Sequence, residues 1–272
     1  RLSLSKKEFH EDLLTLIEPE QPVPSRTDFL MSYLMEGGFE YEPRSNINLL
    51  FKPIVADETA IAAIVARKRT ISGHFDESNP FTMENISEWE LANVYFNLGD
   101  DEQVVGVELN RAVAQNPKTL IQDIASHINS ISPRNSYEIH VFELPNKESF
   151  WQAVESFGSE ITSLTFDMVM PNPVKDSLSA TEKAMDRLKT VKGQRLQETY
   201  TNNDGLNLDN DMVRDHVKRT EGGSGGVSAK SHGTHVYSTD KSGRTVELDD
   251  EFGASEGEKT GLLDRLRNIL LR

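Results

Sequence analysis

Residues 89–109 read WELANVYFNLGDDEQVVGVEL and open the stretch, residues 89–170, that decides the fold. Aromatic and β-branched residues are frequent in Trp89–Leu98 and again in Gln103–Leu109, which is typical of strands. The glycine and acidic residues between these two segments are turn-forming. The pattern therefore predicts a β-hairpin at the start of the stretch.

The remainder of the stretch alternates between helical and strand patterns. Asn116 and Pro117, an N-cap and a first-turn proline, precede apolar residues at helical spacing. These apolar residues are Leu120, Ile121, Ile124, Ala125 and Ile128. A strand over 137–144, a short helix that ends before Gly158 and a strand over 161–170 follow. The ββαβαβ order predicts an α+β fold, a mixed sheet with helices on one face.

Composition and pattern divide the chain into four predicted regions. They are an N-terminal region of helices and strands (1–88), the α+β core (89–173), a charged helix with a glycine hinge and a hairpin packed on the core (174–248), and an acidic linker with an amphipathic C-terminal helix (249–272). Within them we expect helices at 9–17, 57–69, 180–200 and 210–219, a loop at 71–88, and a hairpin of 234–239 with 244–248.

The composition excludes several kinds of site. The chain has no cysteine, which excludes disulfides and thiolate metal sites and is compatible with a reducing cytoplasm. It has no apolar run long enough to cross a bilayer and no signal peptide, so we expect a cytoplasmic protein without stable membrane insertion. The glycine run at 222–226 lacks the Gly-Lys-Ser/Thr of a phosphate-binding loop. No cofactor and no metal are therefore expected.

The net charge of −15 is unevenly distributed along the chain. Residues 1–88 carry −6, residues 89–170 carry −8, residues 171–248 carry +1 and residues 249–272 carry −2. Because the first two blocks should repel phosphate, the third is the candidate surface for nucleic acid or another anion. The candidate anion-binding residues are Lys183, Arg187, Lys189, Lys192, Arg195, Lys218 and Arg219. A solvated helix face is the alternative, since Glu182, Asp186 and Glu198 partly cancel the positive field.

Two histidines provide a catalytic alternative. His140 and His235 each lie on a predicted strand, and two strand histidines that face one cleft can share acid and base work on a phosphodiester. The two-histidine phosphoesterase pattern has Ser or Thr two residues after each histidine, whereas this chain has Phe142 and Tyr237. Since the hydroxyls that would hold phosphate are missing, the prediction is that the chain has no catalytic residues, with His140 and His235 as the alternative.

The last residues of the chain are predicted to form an amphipathic segment that follows a flexible acidic linker. Its apolar residues at helical spacing are Leu262, Leu263, Leu266, Ile269 and Leu270. An isolated helix of about ten residues is marginal in water, so this leucine face should dock on its own domain, on a second copy or on a partner. A membrane-surface role is disfavoured by Asp264 and by the short length.

The run FDMVMPNP at 166–173, a charged helix, Asn203-Asp204-Gly205 and a glycine-rich turn before a hairpin together resemble a group of bacterial proteins. These are uncharacterised proteins of phage-defence or mobile-element neighbourhoods, and the resemblance covers roughly residues 89–248. It brings no catalytic residues and implies a bacterial, cytoplasmic, accessory role in antiviral defence. The expected function is a non-enzymatic binding or assembly protein that docks a protein partner or itself and contacts nucleic acid. The alternative is a phosphodiester-acting enzyme or nuclease that uses His140 and His235.

Overall fold

The computed structural model describes most of the chain. The described residues are 1–6, 23–44, 47–76, 79–99, 102–131, 137–146, 148–169, 186–188, 190–191, 193, 195–223, 225–246 and 263. The chain separates into two compact units: unit 1 comprises residues 1–23 and 132–248, and unit 2 comprises residues 24–131 and 249–272. Each unit is thus assembled from two separate segments of the chain. Within the described ranges, no helix has both the length and the apolar character needed to span a membrane.

The elements are a mixture of helices and strands, as an α+β fold requires. The strands are β1 (Leu2–Lys6), β2 (Phe39–Arg44), β3 (Ile47–Ala56), β4 (Ala60–Asp76), β5 (Asn79–Gly99), β6 (Glu102–Val107), β7 (Tyr137–Val141), β8 (Ile161–Val169), β9 (Arg195–Thr201), β10 (Gly225–Ser231) and β11 (Thr234–Ser238). The α-helices whose bounds are defined among the described residues are α1 (Arg26–Leu34), α2 (Pro117–Ile131), α3 (Ser149–Phe157) and α4 (Asp211–Glu221).

Unit 2 is built on a five-stranded antiparallel sheet in the order β2-β3-β4-β5-β6. One face of the sheet, which we call the inner face, carries buried residues such as Phe51, Val65 and Phe96. Helices α1 and α2 each contact the sheet of this unit. The hydroxyl of Thr27 in α1 donates to the carbonyl of Leu98, and the imidazole of His127 in α2 stacks on Phe39 at 4.8 Å between ring centroids.

Strands β4 and β5 are much longer than their neighbours, with 17 and 21 residues. Strand β3 pairs with β4 only between Ile61 and Arg67, and β6 pairs with β5 only from Val94 onward. The remaining length of β4 and β5 is therefore a two-stranded ribbon, residues 68–76 with 79–89, which we call the arm. The predictions of a helix at 57–69 and of a loop at 71–88 are wrong, because residues 60–76 form β4 and residues 79–88 belong to β5.

Unit 1 is built on a four-stranded antiparallel sheet in the order β11-β10-β8-β9. Alternate residues of β8 point into a core that receives side chains from α3 and α4. Members of this core include Phe150, Ile161, Leu164, Phe166, Met168, Leu208, Val213, Val217 and Tyr237. A second, two-stranded sheet pairs the N-terminal β1 with β7, with Leu4 opposite Ile139, and the α-amino group of Arg1 donates to the carbonyl of Phe142 at 2.7 Å.

The prediction of one mixed ββαβαβ sheet over 89–170 is not confirmed. Strands β5 and β6 belong to the five-stranded sheet, β7 pairs with β1, and β8 belongs to the four-stranded sheet. The predicted boundary between residues 88 and 89 falls inside β5. The chain crosses from unit 2 to unit 1 after Ile131, at the end of α2.

The charged region 174–248 also differs from its prediction. Of the helix predicted at 180–200, residues 186–188 and 190 are helical, whereas residues 195–200 belong to the edge strand β9 (Arg195–Thr201), which pairs with β8. The hairpin forms from 225–231 with 234–238, not from 234–239 with 244–248. Its two-residue turn is His232-Gly233, and φ values of 45° and 87° give the left-handed conformation that such turns require. Two of the hinge glycines, Gly225 and Gly226, lie in β10.

Three further predictions fall where the structure gives no description. They are the helix at 9–17, the acidic linker at 249–259 and most of the C-terminal helix, of which Leu263 is described.

Candidate functional site

The four-stranded sheet of unit 1 has one apolar and one polar face. Because side chains alternate along a strand, Leu164, Phe166 and Met168 enter the core while Asp167 and its alternate neighbours face the other way. We call this second surface the polar face. Its residues, which are cross-strand partners in the sheet register, are Ser163, Thr165, Asp167, Gln197, Thr199, Ser228 and Lys230.

An ion pair organises one end of the polar face. The guanidinium of Arg195 donates from Nε to Asp167 Oδ1 at 2.7 Å and from Nη2 to Asp167 Oδ2. The carboxylate side chain is 19% exposed and the arginine side chain 64% exposed. This hydrogen bonding raises the pKa of Arg195 above its usual value, and the negative charges of Asp167 and Asp240 add to the shift. Arg195 is therefore positively charged at neutral pH.

His140 of β7 lies in the electrostatic field of this pair. Burial is the main reason why the pKa of His140 is lowered from its usual value, and the positive charge of Arg195 lowers it further. The carboxylates of Glu138 and Asp167 act in the opposite direction. At neutral pH the imidazole is consequently uncharged and able to accept a proton.

The second candidate histidine lies elsewhere on unit 1. His235 is exposed on β11 opposite Lys230, which in turn lies opposite Ser163 of β8. Ser163 and Asp167 are four positions apart on β8, about 13 Å along an extended strand. His235 thus lies at the level of Ser163 in the four-stranded sheet, whereas His140 lies on β7, which pairs with β1.

The predicted anion-binding residues have different environments. Arg187 Nη1 lies 2.7 Å from Glu198 Oε1, and Arg195 is paired with Asp167. Arg219 is buried, donates from Nη2 to the carbonyl of Val169 at 2.9 Å, and has its pKa lowered to about 10 by that burial. Lys218 is exposed on α4. Lys183, Lys189 and Lys192 lie outside the described residues.

The tail residue that the structure describes is Leu263. It is 4% exposed and packs against Ala60 and Ala62 of β4, with Val55 and Tyr95 at the margin of the contact. The other predicted partner-binding residues, Leu262, Leu266, Ile269 and Leu270, lie outside the described ranges. The contact belongs to unit 2, because residues 249–272 are part of that unit.

Leu263 therefore marks the second face of the five-stranded sheet, which we call the outer face. Its cross-strand rows are Leu50-Ala66-Leu91, Lys52-Ile64-Asn93 and Val55-Ala62-Tyr95. Ala60, Ala62 and Ala66 are buried, with 3%, 5% and 4% of their surface exposed. Farther along β5, Leu91 is 51% exposed and Trp89 is 43% exposed.

Sequence reasoning missed the Asp167–Arg195 pair and the outer face. The two charged residues are separated by 28 positions, and only the pairing of β8 with β9 brings them together. The outer face was missed because β4 was expected to be a helix. The alternation of Trp89, Leu91 and Asn93 on a strand was a usable signal, since alternate residues share a face. Within the described ranges, no three metal-ligating side chains come together.

A comparison of the chain with protein families matches residues 108–253 to a family described as a domain of unknown function, DUF4747. The match covers more than half of the 272 residues. The chain belongs to the DUF4747 family. The DUF4747 match contains the continuous segment 132–248 of unit 1, and hence His140, Asp167 and Arg195. The outer-face residues of β3, β4 and β5 lie outside it. Comparisons with curated proteins and with solved structures gave no match.

Proposed function

We propose that the protein is a non-enzymatic binding and assembly protein that docks another protein chain, a second copy or a different partner. The observation that carries the proposal is the exposure of Trp89 and Leu91, 43% and 51%, two residues apart on the same face of β5. Large apolar side chains exposed side by side are typical of interaction surfaces, and tryptophan is enriched among the residues that contribute most to binding.

The arm next to these residues supports the same proposal. Between 68–76 and 79–89 the two strands pair with each other and, within the described residues, with no other strand. A two-stranded ribbon is marginally stable in water unless it packs on a further layer. Its strand edges also carry backbone groups that another strand can pair with. A partner that contacts Trp89 and the arm would satisfy both requirements.

The test compares a double variant with a matched control. Trp89→Ser with Leu91→Ser removes the exposed apolar pair, whereas Val191→Ser removes an exposed apolar residue of unit 1 that is 73% exposed. We expect the wild type and the control to share an assembly mass in light scattering or a captured partner in pull-downs, and the double variant to lose it. Identical mass and capture for all three proteins would overturn the proposal.

A contact with nucleic acid through residues 180–219 is part of the proposal. Lys218 is exposed and supports this contact. Arg187 and Arg195 are paired with carboxylates and Arg219 is buried, so we assign the contact to lysines. Charge reversal of Lys189, Lys192 and Lys218 should abolish a salt-dependent shift with single-stranded DNA or RNA. The same reversal at exposed Lys52 of unit 2 is the control and should leave the shift intact. Equal binding by both variants would eliminate this contact.

The second candidate function is a phosphodiester-acting enzyme that uses His140 and His235. The specific observation in its favour concerns His140 alone, whose imidazole is half-buried and has a pKa lowered mainly by burial, because a neutral imidazole can serve as a general base. His140→Ala and His235→Ala, screened for turnover on nucleotides and RNA, test it. Activity that both substitutions abolish would replace the binding proposal by the enzymatic one.

The resemblance to bacterial proteins of phage-defence neighbourhoods supports antiviral defence as the biological setting in which the protein binds its partner. In that setting the protein is a cytoplasmic accessory component of antiviral defence. Expression of the wild type and of the Trp89→Ser, Leu91→Ser variant in a phage-challenged host tests the setting. We expect the wild type to protect the host and the variant not to protect it. Equal plaque numbers with and without the wild-type gene would reject the role in antiviral defence.

A further inference from the structure

The outer face of unit 2 contains a shallow apolar groove along β4. Alanines at both ends and Ile64 in the middle form its floor, and larger residues on β3 and β5 form its walls. The floor is Ala60, Ala62, Ile64 and Ala66; the apolar walls are Leu50, Val55, Leu91 and Tyr95, and the polar Lys52 and Asn93 flank Ile64. We call this the alanine groove. Because alanine has a single methyl group, a helix can approach the sheet closely between the taller walls.

One end of the alanine groove already holds a side chain from the C-terminal segment. Leu263 is buried against Ala60 and Ala62, between Val55 on one strand and Tyr95 on the other. Strand β4 begins at Ala60, so from Leu263 the floor continues in one direction, toward Ala66. Ile64, between the two ends, is half-buried on the same face.

The residues that follow Leu263 match the rest of the groove in pattern and length. Leu266 and Leu270 come three and seven residues after Leu263, which places all three on one side of a helix. From 263 to 270 a helix advances about 10 Å, and residues 262–272 span about 15 Å. The distance from Ala62 to Ala66 along an extended strand is about 13 Å.

We propose that the alanine groove is a helix-docking site whose occupant is residues 262–272 of the same chain, with Leu263 at the Ala62 end and Leu270 at the Ala66 end. A helix of this length is marginal alone and gains stability from such a groove. The tail then acts as an internal tether that returns the chain to unit 2 after unit 1. This inference does not depend on partner docking at Trp89.

The absence of cysteine from the sequence makes a direct test possible. In the full chain, Ala66→Cys with Leu270→Cys introduces the sole pair of thiols at the two positions that the proposal brings together. We expect disulfide formation within one chain under mild oxidation, seen as loss of both free thiols without a change in mass on non-reducing gels. Ala66→Cys with Asn268→Cys is the control, because Asn268 falls on the opposite side of the helix.

The outcomes separate the possible occupants. A disulfide between two chains would identify a second copy as the occupant and overturn the proposal. Equal linkage at Leu270→Cys and Asn268→Cys, or linkage at neither, would also overturn it. Light scattering of Trp89→Ser alone, which leaves the groove wall Leu91 intact, reports on partner docking and not on the tail, so the failure of one proposal is distinguishable from the failure of the other.

A second measurement avoids engineered disulfides. Leu263→Asp with Leu270→Asp in the full chain should release the tail and leave the alanine groove open. A fluorescent synthetic peptide of residues 262–272 should then bind the variant at least about tenfold more tightly than the wild type, whose own tail competes at a high effective concentration. Binding of the peptide to both proteins with equal affinity, or to neither, would contradict the proposal.

Discussion

Asp167 and Arg195 face each other across strands β8 and β9, and the guanidinium reaches both carboxylate oxygens, with 2.7 Å between Arg195 Nε and Asp167 Oδ1. Their Cα atoms are not direct partners, because Asp167 lies opposite Gln197 and Arg195 lies opposite Val169. The bond therefore runs diagonally, over a distance that the long arginine side chain can span. Both charges act on His140, and they act in opposite directions.

This opposition gives the first prediction. Arg195→Gln should raise the pKa of His140, because a positive charge that disfavours the imidazolium is removed. Asp167→Asn should lower the pKa of His140, because a favourable negative charge is removed. The imidazole proton shifts of His140, followed by NMR during a pH titration, measure both changes. Shifts of the same sign in the two variants would indicate a rearrangement of β7 and would contradict the electrostatic account.

The second prediction concerns stability against pH in both units. Burial lowers the pKa of His140 in unit 1 and that of His127 in unit 2. Between each folded-state pKa and the unfolded value of about 6.5, the unfolded chain binds more protons. The stability that depends on these neutral histidines should therefore be fully present above the unfolded pKa. The free energy of unfolding should fall as the pH drops from that value toward the folded-state pKa.

Urea unfolding between pH 7.5 and pH 5.5 measures this dependence, in a range where ordinary carboxyl groups stay ionised. His140→Gln should flatten the pH dependence of unit 1, and His127→Gln should flatten that of unit 2. A pH dependence that stays unchanged in both variants would show that other groups are responsible.

The third prediction compares two tyrosine hydroxyls. Tyr41 is 6% exposed, and within the described residues its hydroxyl has no hydrogen-bond partner. The Tyr237 hydroxyl lies 3.1 Å from the Ser149 hydroxyl. Because a buried polar group without a partner is costly, Tyr41→Phe should raise the free energy of unfolding by about 1 kcal/mol. Tyr237→Phe should lower it by about 1 kcal/mol, since it breaks an existing bond.

Thermal unfolding of the two phenylalanine variants measures the difference. Packing is nearly unchanged in each, so the sign of the shift reports on the hydroxyl group. A fall in the melting temperature of the Tyr41→Phe variant would mean that its hydroxyl is satisfied in the folded protein.

The fourth prediction concerns two neighbouring glycines in β10. A methyl group on Gly225 would collide with the backbone carbonyl of Asp167 on the adjacent strand, which cannot move without the sheet. A methyl group on Gly226 would lie 3.1 Å from Thr239 Oγ1, a side-chain atom that can adjust. Gly225→Ala should therefore destabilise unit 1 by about 1–3 kcal/mol, and Gly226→Ala by less than about 1 kcal/mol.

Chemical denaturation of the two alanine variants, with loss of far-ultraviolet dichroism as the readout, ranks them. Equal losses would argue that β10 and β8 lie farther apart at Gly225 than the structure places them. A larger loss for Gly226→Ala would argue that Thr239, whose hydroxyl accepts from the Val227 backbone at 3.3 Å, is held more rigidly than the carbonyl.

Several elements could be predicted from local pattern because tertiary contacts agree with it. The expected apolar stripe of α2, from Leu120 to Ile128, is buried in the structure. The helix α4 begins after Asn210, whose side chain accepts from the Val213 amide at 3.0 Å, as an N-cap should. In β8 the alternation of Leu164, Phe166 and Met168 predicted the buried face. These elements could be predicted because the apolar periodicity is strong and the residues at the ends of the elements agree with it.

Other elements were misread because their local pattern is ambiguous. In β4 nearly all residues from Ala60 to Ala66 are buried, on both faces of the strand, so the alternation that marks a strand is lost and the apolar spacing looks helical. In β9 the spacing of Leu196 and Tyr200 fits a helix equally well, and pairing with β8 decides for a strand. Residues 71–88 were expected to form a loop, because their apolar residues are separated by polar and turn-forming residues.

The sequence by itself determined the helices α2 and α4, the strand β8, the hairpin of β5 with β6 and the amphipathic character of the tail. These features depend on residues that are close in the chain, so their spacing carries the information. Only the tertiary structure decided that β1 pairs with β7, that Asp167 meets Arg195, and that Leu263 lies on Ala60 and Ala62. Each of these contacts joins segments that are distant in the chain, and their partners are selected by sheet register and shape, which local spacing does not encode.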